Sequence, residues 1–143
     1  MSRKKLCIGL FGFGVVGKGL YDVLHSTPTL QASIKKICVK SKEKQRSIDA
    51  ANFTTEANDL LDDEEINVIV ELIDDADAAF IIVKKALENG KAVVSANKKM
   101  IAEHFEELFE LQQKYQTPFY TKALVAPAYP LSGTWKSITT MIC

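Results

Sequence analysis

The residues Leu6-Cys7-Ile8-Gly9-Leu10-Phe11 run straight into Gly12-Phe13-Gly14-Val15-Val16-Gly17, and this junction constrains the chain more than any other feature. A short, almost wholly apolar segment that ends in glycines reads as a strand buried on both faces of a parallel sheet. From Val16 the period changes. Val16, Leu20, Val23 and Leu24 fall on one face of a helix, which Pro28 ends. Strand, glycine turn and helix in that order form the context in which a G-x-G-x-x-G holds a dinucleotide. Gly12 serves the tight turn, Gly14 the approach of the backbone to a pyrophosphate, and Gly17 the close packing of helix on sheet. The helix N-terminus then turns free N–H groups and the positive end of its dipole toward the phosphates. A tight structural turn without ligand is the competing reading.

The rest of the pattern repeats the alternation. Ile34–Val39 reads as a second strand and residues 40–52 as a polar loop. Thr54 or Thr55 caps a short helix around Ala57–Leu61. Asn67–Ile73 reads as a central strand. Asp74, Asp75 and Asp77 open a helix that reaches Glu88, with Ala79, Ile82, Val83, Ala86 and Leu87 on one side and Gly90 as its C-cap glycine. Ala92–Ser95 is a short strand, and Lys99–Tyr115 an amphipathic helix carried by Ile101, Phe105, Leu108 and Leu111. Pro118–Leu124 reads as a last strand. Strands and helices alternating at this spacing imply an α/β fold: a doubly wound parallel sheet with right-handed crossovers, of the Rossmann dinucleotide-binding type.

Composition narrows the function classes. The 143 residues suit one domain. Eighteen Lys+Arg balance eighteen Asp+Glu, without the basic surplus of a nucleic-acid binder. No apolar run approaches the roughly 18 residues that a membrane span needs, and the start lacks the pattern of a secretory signal. Cys7, Cys38 and Cys143 are far apart and form no C-x-x-C pair. A cytoplasmic protein with reduced thiols fits.

The end of the second strand bears on which dinucleotide fits. An acid there grips the ribose hydroxyls of NAD. This chain has Val39-Lys40-Ser41-Lys42, with Arg46 close behind and no acid before Glu43. Lys40 can neutralise a 2′-phosphate, so NADP is favoured over NAD; a solvated basic loop is the equal alternative. Ser95-Ala96-Asn97-Lys98 follows the Val93-Val94 strand, where ligands bind in open parallel sheets. Lys98 can hold a carboxylate, polarise a carbonyl or relay a proton, or Asn97 and Lys98 simply start the next helix. Glu71, inside an apolar strand, reads as a paired structural carboxylate ahead of a cleft residue. His25 and His104 read as surface or helix-end residues, and no metal site is expected.

Three blocks then resemble the homoserine dehydrogenases: residues 8–19, residues 68–73, and residues 86–98, which end in Val93-Val94-Ser95-Ala96-Asn97-Lys98. The likeness spans about residues 5–120. That family reduces aspartate semialdehyde to homoserine with NAD(P)H, on the way to threonine and methionine. The resemblance implies that Phe13, Val15 and Val16 meet the cofactor phosphates through backbone groups. It places Lys40 at the adenosine ribose, Ser95 near the nicotinamide, and Lys98 in the active-site cleft as the catalytic lysine.

The resemblance stops where Tyr120-Thr121-Lys122-Ala123 replaces the family's Tyr-Glu pair. Read one frame over, Trp135-Lys136 forces Glu and Met141-Ile142 forces Asp. From Phe119 onward the shifted frame can read Leu-Tyr-Glu-Ser, and from Ala128 to Gly133 Ile-Pro-Ile-Ile-Arg, which are family-like words. Residues 1–124 are therefore expected to form the cofactor domain, and residues 125–143 an aberrant tail. The substrate and dimerisation half would be missing. The chain would carry only the cofactor half of the enzyme and be inactive alone. The alternative is a non-catalytic NAD(P)-binding fragment or cofactor-sensing module.

Overall fold

The computed structural model describes residues 5–40 and 50–121. Lys42, Arg46 and the segment 125–143 lie outside them. Six strands form one parallel sheet: β1 (Leu6–Phe11), β2 (Ala32–Cys38), β3 (Phe53–Thr54), β4 (Val68–Glu71), β5 (Ala92–Ser95) and β6 (Phe119–Tyr120). Their order is β3-β2-β1-β4-β5-β6, so the winding reverses between β1 and β4. A reversal of this kind opens a crevice at the carboxyl ends of the two strands, because the loops leaving them diverge.

The helices are α1 (Val15–Ser26), α2 (Asn58–Leu61), α3 (Ala76–Glu88), α4 (Lys98–Glu103) and α5 (Phe105–Tyr115). Alternate strand residues enter two separate cores. Ile8, Leu10, Val68, Val70 and Val94 share one with Leu20 and Leu24 of α1. Phe11, Ile69, Val93 and Phe119 share the other with residues of α2, α3, α4 and α5. Helices thus cover both faces, as the near-continuous apolar runs of β1 and β4 require.

Local chemistry explains the ends of α3. The Asp75 side chain accepts from the Asp77 and Ala78 N–H groups, satisfying two donors that the helix leaves open. Gly90, at φ 75°, closes the other end while the Lys91 N–H bonds the Ala86 carbonyl.

Several sequence expectations need correction. The helix expected over Lys99–Tyr115 is two helices, divided at His104 (φ −121°, ψ 25°). The His104 ring lies flat on Phe80, with centroids 3.9 Å apart and planes at 10°. The break re-phases the apolar stripe. Ile101 and Leu108 stay buried, whereas Phe105 is left 48% exposed. Val16 and Val23 are likewise exposed, so α1 buries Gly17, Leu20 and Leu24 instead of the wider stripe. Thr54 belongs to strand β3, which the sequence pattern did not reveal, and α2 has no side-chain cap at its N-cap residue. The Thr54 hydroxyl still accepts from the Glu56 N–H and donates to Asp59 just ahead of and within α2. The last strand is described only as far as Tyr120, with Thr121 in a single bridge.

No helix among the described residues is long and apolar enough to cross a membrane.

Candidate functional site

The glycine turn follows directly from β1. Gly12 has φ +94°, and a Cβ on it would sit 3.1 Å from the Leu72 carbonyl oxygen. Both facts favour glycine here. A Cβ on Gly17 would come within 2.8 Å of the Gly12 carbonyl oxygen, so only glycine lets α1 lie this close to the turn. Gly14 differs: a Cβ there would meet nothing within 4 Å. Its bareness serves no contact inside the protein. It leaves the backbone open to something from outside.

Phe13 turns its ring inward, edge-on to Phe53 at 5.3 Å and to Tyr21 at 6.3 Å. Val15 and Val16 open α1 and are exposed, Val15 by 91%. Gly14 caps α1 without a side-chain bond, and no acid lies in the first turn. The free N–H groups of this 12-residue helix therefore keep their capacity for an anion.

Backbone bonds stitch the strand ends together beside this turn. The Gly12 N–H donates to Cys38 O, Leu72 N–H to Phe11 O, and Ala96 N–H to Glu71 O. Beyond them lies a cleft of about 350 Å³, lined by Val16 from α1, by Leu72, Ile73 and Asp74 after β4, and by Ala96, Asn97 and Lys98 after β5. It sits at the winding reversal, where a parallel sheet of this order places its ligand.

Beneath the cleft is a closed set of polar contacts. Glu71 is fully buried. One of its carboxylate oxygens accepts from the Ile73 N–H at 2.8 Å, the other from the Ser95 hydroxyl at 2.6 Å. The Ser95 oxygen also accepts from the Asn97 N–H, at 3.2 Å. The Asn97 amide donates to Ile73 O at 3.0 Å, and its carbonyl oxygen caps α4 by accepting from the Met100 N–H at 2.9 Å. Burial pushes the Glu71 carboxyl above its ordinary value, while the bonds from Ser95 and Ile73 pull it back. The pairing expected for Glu71 exists, but its partners among the described residues are hydrogen-bond donors and none is a cation.

The sequence-derived residues divide into groups. Gly12, Phe13, Gly14, Val15, Val16 and Gly17 form one continuous turn, and Val16 and Lys98 face the same cleft. Ser95 lies under the cleft, fully buried, with its hydroxyl engaged by Glu71 and Asn97. Lys40 is exposed two residues past β2, at the same edge of the sheet. Leu72, Ile73 and Asp74 escaped sequence reasoning as cleft residues. The signal for them was the one applied to Ser95–Lys98: they follow a central parallel strand.

Other reactive groups stand apart from this cleft. Asp77, Glu103 and His104 bring ligand-type atoms within 4.8 Å of one another. Two of the three are already engaged: Lys99 lies 4.0 Å from Glu103, and Glu107 lies 3.4 Å from His104 Nδ1. Burial raises both the Cys7 and Cys38 thiols, Cys38 to about 11, which suppresses the thiolate and its nucleophilicity.

Against this geometry the likeness to known proteins is specific. The family model for the homoserine dehydrogenase NAD-binding domain matches residues 12–122. A homoserine dehydrogenase of Neisseria gonorrhoeae is 35% identical over 136 residues, covering 90% of this chain and 31% of that protein. The S. aureus homoserine dehydrogenase structure at pH 8.5 superposes with a TM-score of 0.75 at 30% identity, covering 85% of this chain and 33% of that one. A hyperthermophilic archaeal homoserine dehydrogenase in complex with NADPH shares the fold, with a TM-score of 0.68 at 21% identity over 82% of this chain and 43% of that one. The chain thus spans about 31% of the length of the Neisseria relative.

Proposed function

The chain belongs to the homoserine dehydrogenase family through its NAD-binding domain, and on that footing we propose that it binds NADP(H) and forms the cofactor side of the reduction of aspartate semialdehyde to homoserine. In this reading residues 1–124 are the cofactor-binding unit of a cytoplasmic enzyme on the route to threonine and methionine.

One observation carries the reading. A glycine turn whose middle glycine faces open space meets a cleft containing a lysine at the winding reversal of the sheet. The fit is chemical as well as spatial. The backbone of Gly12–Gly17 can approach a pyrophosphate, and the α1 N-terminus offers it unpaired N–H groups. Lys40 supports NADP over NAD, because an ammonium there can neutralise a 2′-phosphate. A nicotinamide cofactor held by the glycine turn and the α1 N-terminus would supply hydride-transfer chemistry toward the aldehyde carbon. Lys98 then has two tasks open to it: holding the substrate oxygen and passing it a proton. Its ammonium makes no hydrogen bond or ion pair among the described residues and is exposed at the cleft. Ser95 acts beneath the nicotinamide seat through the residues it holds.

The chain alone is not expected to complete the reaction, since hydride transfer needs substrate, cofactor and proton-transfer groups held in one cleft. It matches only about a third of its relatives' length. Pairing into a dimer would need the remaining portion. Titrating the chain with NADPH, followed by cofactor fluorescence, tests the first half of the proposal; no saturable binding overturns it. Assaying the same chain with homoserine and NADP tests the second, and steady NADPH production would show that the cofactor side suffices.

A further inference from the structure

We infer that Glu71 is a positioning residue: with Ser95 and Asn97 it locks the turn between β5 and α4, and so sets where Lys98 stands in the cleft. The inference rests on the dinucleotide reading for its functional meaning, but its structural content stands on the bonds themselves.

A carboxyl at the end of β4, fully buried and with no cation among its partners in the described residues, is costly. An apolar residue would fill the strand end more cheaply, so stability alone does not account for it. What it achieves is connection. Glu71 and Ser95 stand opposite each other in register as the last residues of neighbouring parallel strands. From there the bonds form a ring. The Ile73 N–H and the Ser95 hydroxyl both donate to Glu71, the Asn97 N–H donates to Ser95, and the Asn97 amide returns to the Ile73 carbonyl. Ile73 and Asn97 line the cleft; Glu71 and Ser95 lie sealed below it.

The ring fixes both loops that wall the cleft relative to each other. Asn97 also caps α4, whose first residue is Lys98. The Lys98 ammonium makes no bond among the described residues, so its place is set by the backbone that carries it. Glu71 links the two loops from below, directly to Ile73 and through Ser95 to Asn97, while the Asn97 amide joins them above through the Ile73 carbonyl.

The test uses Glu71→Leu and Ser95→Ala in the full chain. The first keeps a side chain of similar size but removes both acceptors, so the Ser95 hydroxyl and the Ile73 N–H lose their shared partner. The second removes the link to Asn97. Two ligands separate the halves of the cleft: NADPH, which spans it, and 2′,5′-ADP, which reaches only the glycine-turn side. Each variant should weaken NADPH about tenfold, the equivalent of one charge-assisted hydrogen bond, and leave 2′,5′-ADP within about twofold. A merely structural role moves both ligands together. The second readout needs no ligand: amide hydrogen exchange at Asn97 and Met100 should quicken in both variants while Leu20 in α1 stays unchanged. Equal loss of both ligands, unchanged NADPH affinity, or unchanged exchange at Met100 overturns the positioning role. If the unaltered chain binds neither nucleotide, the dinucleotide reading fails on its own, and the exchange measurement still decides whether Glu71 locks the turn.

Discussion

On one side of the cleft, which it reaches through Val16, the turn after β1 is thinned to backbone at three positions. Gly12, Gly14 and Gly17 remove side chains, each for a separate reason, within six consecutive residues. On the other wall the ends of β4 and β5 present side chains that depend on one another across 24 residues of sequence, from Glu71 to Ser95. The first wall is local and its chemistry is that of unpaired N–H groups. The second is assembled by the sheet and its chemistry is that of a fully partnered buried polar set. No buried side-chain N or O atom among the described residues lacks a partner. The difference teaches where tolerance should lie. The glycine wall fails by addition of atoms, the polar wall by their removal.

The largest effects should come from adding atoms to the glycine wall, and they should divide by position. Gly17→Val drives a Cβ against the Gly12 carbonyl oxygen, 2.8 Å away, and should cost about 3 kcal/mol of stability, the upper end of overpacking. Gly14→Val meets open space, so the loss of stability should stay under about 1 kcal/mol. NADPH affinity should nevertheless fall by about 100-fold or more, roughly 3 kcal/mol. Urea denaturation and NADPH titration on both variants check the split. If Gly14→Val binds as the unaltered chain does, that wall is not the phosphate site.

Next comes removal on the polar wall. Asn97→Ala loses the cap on α4 and the bridge to Ile73, and should cost about 1–2 kcal/mol by denaturation. A loss well under half a kcal/mol would mean that the ring of bonds contributes little.

Lys40→Ala should weaken NADPH several-fold, less than about tenfold, and leave NADH nearly unaffected. The difference should shrink as salt rises, because an exposed phosphate contact is screened beyond about 10 Å at 0.1 M. Equal weakening of both cofactors would remove the 2′-phosphate role.

The smallest effect concerns pH. The folded Glu71 carboxyl is held above its ordinary 4.5, so the folded chain keeps this proton at pH values where the unfolded chain has lost it. Its contribution is present below 4.5 and is lost as pH rises through the folded value. The stability of the unaltered chain relative to Glu71→Gln should therefore fall from pH 4.5 upward. A flat difference over that range would show that burial leaves the group unshifted. Asp63, held low by its bond to Lys35 at 2.6 Å, works the opposite way. Its contribution is present above 3.8 and is lost as pH falls through the folded value.

Much of this was legible in the chain itself. The strand β1 and the C-cap Gly90 came from period and punctuation alone. So did the capacity of Asn97 to cap a helix, which depends only on its own side chain and the next three residues. The role of Gly17 was legible for the same reason, since the turn contains both partners of the clash it avoids, whereas Gly12 also avoids the Leu72 carbonyl, which lies outside the turn. The break at His104 was not legible. It depends on Phe80, 24 residues away, offering its face to the imidazole, and a helix period carries no information about a neighbour's ring. Nor could the apolar positions Val16, Val23 and Phe105 reveal that they stay exposed, because periodicity assigns a face without saying whether anything covers all of it.

The sequence by itself determined the alternation of strands and helices, apart from β3 and the division of the last helix, together with the glycine turn and the family, because each is written in contiguous residues. Tertiary structure alone decided that Glu71 is held by Ser95, that Asn97 returns to Ile73, and that Val16, Asp74 and Lys98 share one cleft. Those contacts exist only where the sheet reverses its winding and brings the ends of β1, β4 and β5 side by side. Hydrogen bonds act over about 3 Å of space, and no spacing along the chain encodes that nearness.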